Sequence, residues 1–271
     1  MKIFRLLYRA AAIWLLREAD IHAAALAYFV PFAITPLLLL SITIVGFFIG
    51  GNQVGILLLR WGNSLDPELT DLIFVSVKNF DNLTTSYYLP FLATIFFSSM
   101  VVVTFNSLVS GLNKIWQIES NGWKKFFRRS GRSFLFFVFL QCYLIGLILI
   151  DQMFVFLYRI QFIDFLEYVR PVILFGSTLI LFTLSYGILT LRPPSFRARF
   201  YGAVVASSLI IFTKELVALH TATAPIPGLF GTAGLIIVLL VWIYISTGII
   251  FYGASFAAAY EESKRSTQIT K

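Results

Sequence analysis

Few side chains in this 271-residue sequence could do chemistry, and most of those lie in apolar surroundings. Asp151 and Gln152 interrupt one long apolar run, and Lys214 and Glu215 interrupt another. In hydrocarbon an ionised group must find a partner, line a wet cavity or reach for the interface. Counted from Arg132 and Arg199 at about 1.5 Å per residue, the depths of Asp151 and Lys214 differ by roughly 6 Å. A lysine could bridge that gap if their helices are neighbours, and the pair would then line a polar cavity. Snorkelling of both groups to the outer interface is the competing reading. Glu215 points about 100° away from Lys214 on a helix, so one of the two is expected to face another helix.

A second group is basic. Lys124, Lys125, Arg128, Arg129 and Arg132 lie close together with Trp116, Trp123, Phe126 and Phe127 interleaved. Such a segment suits anionic lipid headgroups at a membrane surface. Cations mixed with aromatics could also bind RNA, but the position beside an apolar run favours lipid or plain topology, and no nucleic-acid partner is expected. Asn106, Ser107 and Asn113 read as interhelical hydrogen-bonding groups.

Hydrolytic chemistry finds little support. There are two histidines, His22 and His220, and one cysteine, Cys142. No His-Asp cluster has metal-ligand spacing and no glycine-rich loop could cradle phosphate. The sequence therefore predicts no catalytic residues, no metal and no cofactor.

These residues must be positioned by membrane-embedded elements. The chain is 59% hydrophobic and 13% charged, with mean hydropathy +0.86, far from the composition of a soluble domain. Its apolar runs are continuous rather than alternating, which excludes a barrel. The expected fold is all-α: a polytopic membrane helix bundle of one integral domain over 1–271, with six transmembrane helices and short interfacial helices. An amphipathic segment, 1–22, lies on the membrane surface rather than forming a cleaved leader. Spans follow at about 23–50, 90–112, 133–158, 171–191, 200–219 and 229–260. Between the first two, Asp66-Pro67-Glu68 carries a helix-start pattern, and short interfacial helices are expected there. Gly202 with Ala206 and Gly253 with Ala257 form small-residue faces that allow close packing.

Six spans put both termini on one side. All Lys and Arg residues fall on that side except Arg60, Lys78, Arg159, Arg170 and Lys214. By the positive-inside rule the termini are cytoplasmic.

The first span holds two prolines. Pro31 removes the donor to the carbonyl of Ala27, and Pro36 removes the donor to that of Phe32. Each freed carbonyl needs protein or water. Ala27, Pro31, Phe32 and Pro36 are therefore candidate cavity residues, with Asp151, Gln152, Lys214 and Glu215 nearer the outer side.

Taken together, Ala23 to Tyr28 with Pro36-Leu37-Leu38, Asn113-Lys114-Ile115-Trp116, Tyr201-Gly202-Ala203, Gly231-Thr232-Ala233-Gly234, Leu240 to Tyr244 and Tyr252-Gly253-Ala254 resemble the BrkB/YihY-like family of bacterial inner-membrane proteins. Pro36 matches the proline of that pattern, and Pro31 is an addition. The resemblance implies a six-helix inner-membrane protein. The family has carried the label ribonuclease BN and has been connected with virulence and with envelope lipid export. It implies no catalytic residue set by position.

The leading expectation is a transporter or permease for a lipid or another amphipathic or small solute, with membrane lipids as its surroundings. The alternative is a non-transporting envelope scaffold that binds partners through the segment between the first two spans. A tRNA-processing ribonuclease is the reading the chemistry favours least. Substrate, coupling ion and oligomeric state are not set by the sequence.

Overall fold

The computed structural model describes residues 2–49, 88–118, 123–159, 163–223 and 232–269. These residues form seven helices and no strand. They are α1 (Lys2–Leu16), α2 (Ala19–Ile49), α3 (Tyr88–Ile115), α4 (Trp123–Arg159), α5 (Ile163–Leu189), α6 (Phe196–Thr223) and α7 (Thr232–Ile269). The segment with Asp66-Pro67-Glu68 lies outside the described residues. Four stretches among the described residues are long and apolar enough to cross a membrane: Arg128–Ile150, Pro171–Leu189, Phe196–Leu216 and Ile236–Lys264.

An apolar helix satisfies every interior backbone group within itself, which is why long helices dominate. α2 continues through Pro31 and Pro36 as one helix. α4 starts at Trp123, so the basic residues from Lys124 to Arg132 are helical and continuous with the apolar run that follows. No proline interrupts that stretch, and continuing the helix satisfies its own amides.

Packing joins the helices in a closed order. α2 packs on α3, α3 on α4, α4 on α5, α5 on α6, α6 on α7, and α7 on α2. α1 lies against α7. Its Ala10 and Ile13 are buried. Tyr252 donates its hydroxyl to the carbonyl of Leu7 (3.1 Å), and the Trp14 indole donates to that of Gly248 (3.2 Å). The amphipathic segment is thus docked on a helix, while Phe4, Tyr8 and Leu15 stay exposed on one face of it.

The small-residue faces expected to pack meet each other. A Cβ placed on Gly202 would come within 2.5 Å of the Gly253 carbonyl oxygen and 2.9 Å of Ala257 Cβ. α6 and α7 therefore cross with backbones nearly touching, the arrangement small residues permit in lipid. Beside this crossing lie the fully buried side chains of Tyr186, Phe251, Ser207 and Ser255.

Candidate functional site

Polar groups of the described residues converge at the end of the bundle where α1 meets the last turns of α7. The corner between α1 and α2 turns on Glu18, whose φ of 53° is left-handed. Its amide donates to Leu15 O (3.1 Å), closing α1. This geometry points the corner's charged side chains at other helices. Arg17 donates to the carbonyl of Ile115 at the end of α3, and its Nη2 pairs with Glu262 Oε1 of α7 at 3.0 Å. Arg9 lies 3.8 Å from the same carboxylate. Glu18 pairs with Lys114 of α3.

α3 ends in a Schellman motif. Gln117, with φ of 51°, donates to Lys114 O (3.0 Å), and Ile118 donates to Asn113 O (2.9 Å). Asn113 is buried and joins two helix ends. Its Nδ2 donates to Val109 O (2.8 Å), and its Oδ1 accepts from the Leu191 amide (2.9 Å) just past α5.

The carbonyls that a helix end leaves free are also met by arginines from elsewhere. Arg132 of α4 donates to Ile188 O (3.2 Å) and to Thr190 O at the end of α5. Arg129 donates to Asn106 O of α3, and Ser133 donates to Asn106 Oδ1 (3.1 Å). The interhelical roles expected of Asn106 and Asn113 are thus present.

Between these ends opens a cavity of about 580 Å³. Its charged lining is Arg17, Arg128, Arg192, Glu261 and Glu262, drawn from the α1–α2 corner, α4, the turn after α5 and α7. Trp116, Gln117, Pro193 and Pro194 complete much of the wall. Arg128 and Arg192 are exposed and form no ion pair among the described residues. The Trp116 indole nitrogen is buried and has no hydrogen-bond partner among the described residues. A volume of this size suits a small ligand, and guanidinium forks suit carboxylate or phosphate.

His22 stands close by, in the first turns of α2, ahead of the span expected from about residue 23. Its ring meets Phe251 edge-on, with centroids 6.3 Å apart. Burial holds the imidazole below the usual histidine value of 6.5. Lys114 pushes it the same way, Glu18 opposes, and Arg129 adds to the lowering. Among the described residues, no group of three or more His, Cys, Asp or Glu could hold a metal ion.

The residues singled out from sequence are placed as follows. Ala27 is buried, Pro31 is half-buried, and Phe32 is exposed with its ring edge-on to Tyr28 at 5.7 Å. Pro36 lies in α2, Asp151 and Gln152 in α4, and Lys124 and Lys125 in the first turn of α4. The side chains of these five lie outside the described residues. Lys214 and Glu215 are both exposed on α6, so neither is brought against a neighbouring helix. α4 packs against α3 and α5, whereas α6 packs against α5 and α7, so the helices of Asp151 and Lys214 are not packed neighbours among the described residues. Among the candidates whose side chains are described, Arg128 alone lines the cavity.

Arg17, Arg192, Glu261 and Glu262 were not among the expected site residues. The available signal was positional: each follows an apolar run at the end of a helix on the side carrying the termini. That they share one cavity depends on helix neighbours, which no local pattern encodes.

Comparison with known proteins adds two matches. The family model described as virulence factor BrkB matches residues 15–271. UPF0761 membrane protein IL2447 of Idiomarina loihiensis is 32% identical over 87 residues, which are 32% of this chain and 31% of that protein. The match thus spans about a third of the relative's length. No solved structure matches.

Proposed function

We propose, from the premise that the chain belongs to the virulence factor BrkB family, that it is an inner-membrane permease. It moves a lipid or another amphipathic or small solute, with six spans and both termini in the cytoplasm. One observation carries this reading: a cavity of about 580 Å³ with a charged lining at one end of an otherwise apolar bundle. A bundle serving only as an anchor has no need of charged groups from four chain segments, three of them guanidinium, around one space. The excess of Lys and Arg on the side of the termini supports the orientation.

In this reading the solute enters at the charged end. Ala27, Pro31, Phe32 and Pro36 of α2 lie along the path in this reading, in the proline-bearing part of that helix. Asp151 and Gln152 supply polar groups farther along the path, and the exposed Lys214 and Glu215 lie on the outer surface of α6. Lys124, Lys125 and Arg128 hold anionic headgroups around the entrance, while Arg129 and Arg132 are tied to the carbonyls of Asn106, Ile188 and Thr190 and add positive charge there. No covalent chemistry is assigned to the protein.

Liposome reconstitution tests the reading. Fluorescent phospholipids and encapsulated small solutes should cross protein-containing vesicles faster than empty ones, and Asp151→Asn should slow that flux. Absence of flux for every class of solute, in protein that elutes as a single folded species, overturns it.

A further inference from the structure

We infer that the charged cavity is a binding site for a phosphate-bearing anion and that Glu262 competes with that anion for Arg17. The inference rests on the permease reading for its place in function, but not for its chemistry. Three guanidinium groups line the space against two carboxylates. One carboxylate, Glu262, is engaged with Arg17 at 3.0 Å. Arg128 and Arg192 line the space from α4 and from the turn after α5, without an acid of their own among the described residues. Arg132, one turn beyond Arg128, is also cationic and is held by the carbonyls of Ile188 and Thr190. The turn bearing Arg192 is thereby fixed beside α4.

Two guanidinium groups facing one space repel each other until an anion joins them. A phosphate has enough oxygens to accept from both, and bidentate geometry favours arginine over lysine for this purpose. The volume exceeds what inorganic phosphate alone would fill and suits a glycerol-phosphate headgroup. Glu262 sits where a competing internal anion would sit. Its carboxylate already holds the third guanidinium, and it belongs to the last turns of α7, the helix on which α1 is docked. An anion drawn to Arg17 competes with Glu262 for the same guanidinium charge. Ligand binding therefore weakens the hold of α7 on the α1–α2 corner.

This competition gives the test opposite signs at different residues. Full-length protein in an uncharged detergent is titrated with two probes, inorganic phosphate and dihexanoyl phosphatidylglycerol, by calorimetry. The expected result is saturable binding of at least one probe. Arg128→Gln and Arg192→Gln should each weaken it about tenfold, and Glu262→Gln should tighten it several-fold. Both arginines are exposed, and matching unfolding midpoints establish that each variant is folded. Binding of the lipid alone identifies a headgroup as the source, and binding of both probes identifies the phosphate itself. No saturable binding of either probe, binding insensitive to both arginine variants, or weaker binding in Glu262→Gln overturns the inference. Because no flux is measured, a failed transport assay leaves this result standing. Loss of anion binding with flux intact removes this inference alone.

Discussion

The hydroxyl of Tyr186 donates to the carbonyl oxygen of Ile250 at 2.8 Å, tying α5 to α7 directly beside Gly253. The tyrosine is fully buried, so this contact fixes where the small-residue face of α7 can sit. It joins the helix that ends at the cavity to the helix that carries Glu262.

A side chain at Gly253 has no room. A Cβ there would meet the Tyr186 hydroxyl, Ala206 Cβ at 2.7 Å and Gly202 O at 2.7 Å. Gly253→Ala should therefore destabilise the protein by about 1–3 kcal/mol through forced displacement. Tyr186→Phe removes one hydrogen bond and should cost about 0.5–1.5 kcal/mol. Unfolding midpoints in detergent check the order, and a Gly253→Ala variant as stable as the parent would contradict the crossing.

Asn113 bridges two helix ends through both halves of its amide. Replacing it by alanine leaves the buried Leu191 amide without its acceptor. The cost expected is about 1–3 kcal/mol, the desolvation penalty of one orphaned donor. Chemical denaturation compared with the parent measures it. Hydrogen exchange should also quicken at Leu191, which a general loosening of α3 would not single out.

His22 makes stability depend on pH in a defined direction. Its folded-state value lies below the usual 6.5, chiefly through burial, with Lys114 next. The unfolded chain then binds more protons than the folded one below about pH 6.5. The stabilisation is complete above that pH and falls as pH drops through 6.5 towards the folded-state value. The unfolding midpoint should decline over that window, and His22→Gln should flatten the decline. An unchanged slope in the variant would assign the effect to other groups.

By itself the sequence determined the class of the molecule. Composition and continuous apolar runs require helices in lipid, because only internal hydrogen bonding satisfies the backbone there. The small faces at Gly202 and Gly253 were readable as packing surfaces for the same local reason. Charge placement marked the end of the bundle where polar groups gather. What the tertiary structure alone decided is which helices are neighbours. In lipid, apolar residues face both inward and outward, so hydropathy does not distinguish a helix's buried side from its lipid side. That is why Asp151 and Lys214 could be paired by depth although α4 and α6 are not packed neighbours among the described residues. It is also why Arg17, Arg128, Arg192 and Glu262, far apart in the chain, converge on one cavity that no spacing pattern announces.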